Sequence, residues 1–190
     1  MRLEAKVEVS PQLAKLFGVL GDAGKKTMLD GAATRLTADI RAHVRGVGQT
    51  HHKTASALGA SPTGHLQKAA TSVHKVELGN AYGVTIESPG FKRVFGSIAI
   101  KPTKAKALTI PIHAWAYGRR ASEVARTMNV FKVKSILATD HGGTFTPLYA
   151  LKKSVTLKQD RSLLPSDAEL IESAKAGYLA VIERIIGAMQ

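Results

Sequence analysis

The stretch Lys101–Glu123, KPTKAKALTIPIHAWAYGRRASE, decides how the rest of the chain is read. It opens basic, with Lys101, Lys104 and Lys106, and turns apolar at Ala107-Leu108-Thr109-Ile110-Pro111-Ile112. The apolar run reads as a short buried strand closed by Pro111, which cannot donate to a ladder. Just beyond it stands Trp115, the only tryptophan, where a ring covers a core edge while its N–H finds a partner. Short apolar strands precede and follow. The stretch is expected at the centre of a sheet, with helices from both ends of the chain laid against it. The fold class expected is α+β, with a mixed or antiparallel sheet, N-terminal helices and a long C-terminal helix.

At 190 residues the chain suits one domain spanning 1–190. Aromatic residues are only 5%, so the core must be built from Ala, Val, Leu and Ile. The absence of cysteine excludes disulfides and thiolate metal sites and suits a reducing compartment. No apolar run approaches the roughly 20 residues of a membrane span, and MRLEAKVEVS lacks the apolar core of a secretory signal. The net charge of +13 is uneven. Residues 1–162 hold 25 of the 27 Lys and Arg and 10 of the 14 acids. Such a body points either to a polyanion or an acidic protein partner, or to a solvated surface that keeps the protein soluble.

Outward from the centre, Arg2 to Val9 alternates as a half-buried strand. Ser10-Pro11 starts a short helix that Gly18 and Gly21 keep brief. Leu29, Ala33, Leu36, Ile40 and Val44 give a second helix, about Lys25 to Arg45, its apolar face, with Gly46 as the stop. Residues 47–64, VGQTHHKTASALGASPTG, read as a long flexible loop that orders on a partner. A turn or two of helix follows at His65–Ser72. Strands are expected at Val76–Leu78, Val84–Ser88, Ser97–Ile100, Ala107–Ile112, Val130–Val133 and Ser154–Leu157. Ile136–Ala138 and Thr144–Leu151 form a hairpin across Asp140-His141-Gly142-Gly143. Ser166-Asp167-Ala168-Glu169 is a capping box opening a final helix over 165–188, its face made by Ile171, Ala174, Tyr178, Val181, Ile182, Ile185 and Met189.

Catalytic motifs do not hold up. Gly24-Lys25 lacks the earlier glycine and the following Ser or Thr of a phosphate loop. Gly59-Ala60-Ser61-Pro62 lacks the second glycine of a nucleophile elbow, and Pro62 would stop its helix. His51-His52, His65 and His74 have no carboxylate between Asp39 and Glu77 to complete a metal site. No catalytic residue, cofactor or metal is expected. The basic clusters Lys92-Arg93, Lys101/Lys104/Lys106, Arg119-Arg120, Lys132/Lys134 and Lys152-Lys153 match no nucleic-acid recognition module, so any DNA contact would be to phosphates alone.

The order of the pieces resembles the phage virion-morphogenesis family, small head–tail joining and tail-completion proteins of tailed phages. The resemblance runs from about Arg35 to the end. It is carried by Thr63-Gly64-His65-Leu66, Lys106-Ala107-Leu108-Thr109-Ile110-Pro111, Tyr117-Gly118-Arg119-Arg120, Ile136-Leu137-Ala138, Pro147-Leu148-Tyr149-Ala150-Leu151 and Leu163-Leu164-Pro165. Gln159-Asp160-Arg161 stands where the family usually has a Pro-rich approach to the last helix.

The resemblance implies a non-enzymatic α+β subunit of a cyclic homo-oligomer, expected as a hexamer. It would sit in the virion neck or tail top after assembly in the host cytoplasm, as a head–tail joining, tail-completion or tail-terminator protein. Its neighbours would be portal or adaptor, tail-tube or terminator proteins, with non-specific contact to packaged DNA and no membrane. Inter-subunit or partner contacts are expected from His51, His52, Lys53 and Leu58 in the loop, from Phe91, Lys92 and Arg93, and from Trp115, Tyr117, Arg119 and Arg120. Lys101, Lys104 and Lys106 are the DNA-facing candidates. The competing reading is a basic, sequence-independent DNA-binding protein.

Overall fold

A computed structural model describes residues 2–3, 11–51, 53–141 and 143–188, with the backbone alone at 2–3, 11–20 and 141. The fold is α+β, and every strand pairing is antiparallel. The chain gathers into two compact units. Unit 1 comprises residues 1–48, 65–94 and 160–190; unit 2 comprises 49–64 and 95–159.

Unit 1 is built on a long helix, α1 (Pro11–Thr50). Gly21, at φ 64° and ψ −171°, breaks its helical path, a geometry that glycine alone adopts without strain. Beyond the break, Met28, Ala33, Ile40 and Val44 are buried at helical spacing. The helix does not stop at Gly46 as the sequence suggests. Gly46 keeps helical geometry in open space, and Gly48 lies against Leu66 and Gln67, where a side chain would be crowded. Gly48 is therefore used for close approach, and its carbonyl accepts from the Gln67 amide at 2.9 Å.

A short helix, α3 (His65–Thr71), leads into the hairpin β2 (Val73–Leu78) and β3 (Ala81–Ile86), joined by Gly79-Asn80. The two-residue turn replaces the five-residue spacer read from the sequence. β1 (Arg2–Leu3) adds to β3. The strand expected over 4–9 lies outside the described residues. Ile40, Val44, Leu66, Val73, Val84, Ile86, Phe91 and Leu163 form the main core. Each such side chain contributes about 1.5–3 kcal/mol on burial.

The last helix, α5 (Asp167–Gly187), opens with the expected capping box: Ser166 and Glu169 each accept from the other's backbone N–H. Its buried side is Ser173, Gly177 and Val181. Ile171, expected on the core face, is exposed together with Leu179 and Ile186. Tyr178, Val181, Ile182 and Ile185 pack as expected, and α5 meets α1 through Gly31 and Gly177 with no room for a Cβ on either. Met28 and Val181 close the same junction. Above it, the Asp39 carboxylate accepts from Arg35 Nε and Ser173 Oγ, both at 2.8 Å.

Among the described residues, unit 2 holds α2 (Lys53–Leu58), α4 (Ala121–Thr127) and six strands. β4 (Ile98–Ile100) pairs with β9 (Val155–Leu157). The four-stranded sheet has the order β5-β8-β7-β6, from β5 (Leu108–Pro111), β8 (Thr144–Lys152), β7 (Ile136–His141) and β6 (Val130–Val133). Two expectations are corrected here. The strand of the central stretch is an edge strand, which suits Pro111. The terminal helices belong to unit 1, whose core is built with its own sheet. The β7–β8 hairpin forms as read, although β7 runs on to His141. A bulge between Leu137 and Ala138 turns both Leu148 and Tyr149 into one buried cluster with Ala116 and Val124.

Candidate interaction surfaces

The corner at Trp115 is made by two short elements. A 3-10 turn at Ala114–Ala116 starts with His113 Nδ1 accepting from the Trp115 N–H at 3.2 Å. α4 starts with the Glu123 carboxylate accepting from the Arg120 N–H at 3.2 Å. Between them the Arg119 guanidinium stacks on the Trp115 ring, 4.2 Å from its centre. The Tyr149 hydroxyl donates to the Arg119 carbonyl at 3.1 Å. Burial pushes the Tyr149 phenol above its ordinary range; the Arg119 charge opposes this and Glu123 adds to it. Trp115, Arg119 and Arg120 thus come together, with Arg119 and Arg120 exposed.

The segment read as one flexible loop over 47–64 is largely helical. Residues 47–50 belong to α1, and Lys53–Leu58 is α2, with Ala55 buried. α2 ends in a Schellman closure: Gly59 N–H donates to Ser56 C=O at 3.1 Å and Ala60 N–H to Ala55 C=O at 2.8 Å. Gly59 takes φ 62°, as that closure requires. Lys53 is exposed, His51 and Leu58 are half-buried, and His52 lies outside the described residues. Thr63 reaches Gly118, so the end of this segment lies against the Tyr117-Gly118 turn.

Phe91, Lys92 and Arg93 fall in unit 1. Phe91 is 1% exposed and belongs to the core, so its role as a partner contact is withdrawn. Arg93 pairs within the chain with Asp160 at 3.3 Å. Lys92 remains exposed.

The sheet brings together lysines that are scattered in sequence. Leu108 pairs with Lys152, Ala150 with Ile136 and Ile136 with Val133. The Leu151 N–H donates to the Ser135 carbonyl at 2.7 Å, fixing the Lys134-Ser135 turn beside the end of β8. Ile100 pairs with Val155, which fixes the start of the β4–β5 connection beside the β8–β9 connection. Lys101, Lys104, Lys106, Lys134, Lys152 and Lys153 therefore share one end of the unit, and all six are exposed. No acid stands in these three connections. Unit 2 has 12 Lys and Arg against two acids, Glu123 and Asp140, a net +10; unit 1 has 15 against 12, a net +3. Asp140 is at the opposite end of β7. In the sequence these clusters are separate, and only the register joins them.

One sheet face is covered by the Ala114–Ala116 turn and α4. On the other, strand pairing aligns Phe131, Val133, Ile136, Ile110 and Phe145. Phe145 is 51% and Val133 39% exposed, and the Phe131 and Phe145 rings stand 6.3 Å apart. This apolar face adjoins the edge strand β6.

Gly24-Lys25-Lys26-Thr27 is helical, with Lys25 paired to Asp22, and forms no phosphate loop. Among the described residues no group of His, Asp and Glu could hold a metal, and no helix is long and apolar enough to cross a membrane. Comparison with protein-family models, curated proteins and solved structures finds no match to this chain.

Proposed function

We propose that this chain is a structural virion component of a tailed phage, a subunit of a ring at the neck or tail top. The observation that carries the reading is the meeting of its motif segments at Tyr149. Leu108–Pro111 pairs with Tyr149–Lys152. The hydroxyl of Tyr149, from the Pro147–Leu151 segment, holds the carbonyl of Arg119, from the Tyr117–Arg120 segment. Three of the six pieces that resemble the virion-morphogenesis family thus meet in one packed corner. A ring subunit also needs surfaces for its copies. The half-exposed Phe131–Phe145 face and the β6 edge suit a second copy of this chain. The exposed row Ile171, Leu179 and Ile186 on α5 gives another apolar contact.

The test is absolute mass by light scattering during size exclusion, on nuclease-treated protein in about 0.5 M salt, which screens nucleic-acid carry-over. A ring mass, expected at six chains of 20.2 kDa, supports the reading. Phe145→Lys with Val133→Lys should then reduce it to monomer, with far-UV circular dichroism unchanged, since both side chains stand exposed on the Phe131–Phe145 face. A 20.2 kDa monomer that binds duplex DNA tightly and with steep salt dependence would overturn it in favour of the DNA-binding reading.

A further inference from the structure

We infer that the lysine end of unit 2 is a binding surface for the phosphate backbone of duplex DNA, without base readout. It deepens the DNA-contact reading and does not depend on the ring. Lys101, Lys104 and Lys106 come from the β4–β5 connection, Lys134 from the β6–β7 turn, and Lys152 and Lys153 from the end of β8 and the turn after it. Three separate connections deliver the same charge to one end, and the two acids of the unit lie elsewhere. Charge collected this way is costly within the fold, because like charges repel, and it is relieved by a polyanion.

The residue types select among polyanions. All six cations are lysines, hydrated point charges on flexible stems that meet phosphates singly, without the fixed fork that base readout uses. A stable interface with an acidic protein would be centred on a buried aromatic or arginine anchor. Here the neighbours within the connections are Pro102, Thr103, Ala105, Ala107, Ser135 and Ser154, which supply no anchor. Single strands would want aromatic platforms for stacking, and these connections contain none. Three inter-strand gaps make the sheet end roughly 14 Å wide. That is comparable with the major-groove width of about 12 Å, so lysines on its two sides reach phosphates on both walls.

The experiment titrates the nuclease-treated full chain with a fluorescein-labelled, random-sequence duplex of about 30 base pairs. Matching single strand and poly-glutamate are titrated alongside. About four phosphate contacts predict a loss of roughly 100-fold in duplex affinity between 50 and 200 mM salt. Lys104→Gln, Lys106→Gln and Lys153→Gln together should flatten the log–log salt slope by about 2 to 3. The same charge loss placed at Lys53, Arg126 and Lys158 should leave it changed by less than about 1. The corresponding Lys→Arg triple should keep the steep slope, which separates lost charge from lost fold.

Equal flattening by both Gln triples would assign the binding to net charge and overturn the site. Stronger binding of single strand would overturn the duplex assignment. Poly-glutamate binding without duplex binding would hand the surface to an acidic protein. The ring mass, measured in high salt without DNA, stands or falls separately.

Discussion

Gly177 of α5 rests directly on the backbone of Gly31 in α1: a Cβ at position 177 would lie 2.6 Å from the Gly31 carbonyl oxygen and 2.9 Å from Ala32 Cα. Backbone cannot swing aside as a side chain can. Gly177→Ala must therefore push the helices apart and is expected to cost about 1–3 kcal/mol by overpacking. Gly46→Ala has the opposite sign. That position is helical, exposed and open around the missing Cβ, so alanine should stabilise by about 0.4–1 kcal/mol. Urea unfolding followed by far-UV circular dichroism measures both, and the same sign for the two variants would refute this account of the crossing.

Tyr149→Phe should weaken unit 2. It removes the hydroxyl that serves the Arg119 carbonyl and leaves that acceptor short of a partner near a packed cluster. The expected cost is about 1–2 kcal/mol. Trp115, the only tryptophan, lies in the same cluster, so its fluorescence follows the loss. An unchanged unfolding midpoint would mean that water replaces the hydroxyl at no cost.

Acid should loosen the α1–α5 junction. Burial raises the Asp39 carboxyl, but the hydrogen bonds from Ser173 and Arg35 outweigh it, and the group titrates below its ordinary 3.8. A depressed folded value means that the carboxylate's contribution is complete above 3.8 and is lost as pH falls through the lower folded value. Glu169, lowered from 4.5 by its hydrogen bonds to Ser166, acts in the same direction. Stability measured from pH 6 down to pH 2 should fall in that acid window, and Asp39→Asn should make the fall shallower. A curve of identical steepness in the variant would rule Asp39 out as a contributor.

Lys134 holds φ 52° in the β6–β7 turn, a left-handed conformation that costs a lysine more than a glycine. Lys134→Gly is expected to stabilise by a few tenths to about 1 kcal/mol. On the inferred surface it should also reduce the salt slope for duplex DNA by about 1. A variant that is more stable but binds DNA with an undiminished slope would remove Lys134 from that surface.

The capping box at Ser166 and the β7–β8 hairpin were legible because each is written in local residue types. The face of α5 was legible at Tyr178, Val181, Ile182 and Ile185, which pack as expected, but not at its first turns. Hydrophobic periodicity weights Ile171 and ignores Ser173 and Gly177, yet the two small residues set the contact and Ile171 turns outward. The same blindness placed a stop at Gly46, where glycine marks no cap, and dissolved residues 47–64 into a loop, although Ala55 is a buried helical residue. The lysines of the three connections were visible singly. Their convergence depends on pairings such as Leu108 with Lys152, which no local pattern encodes.

The interleaving of the two units bears on how the chain is made. Ser173 and Asp39, joined in the finished fold, are 134 residues apart, and the whole of unit 2 is synthesised between them. At about 5–20 residues per second, α1 leaves the ribosome on the order of ten seconds before the helix that covers it. Unit 2 can finish folding in that interval, while the Met28 end of α1 waits for Val181. Until α5 arrives, the nascent chain exposes apolar surface at Met28 that the finished fold covers.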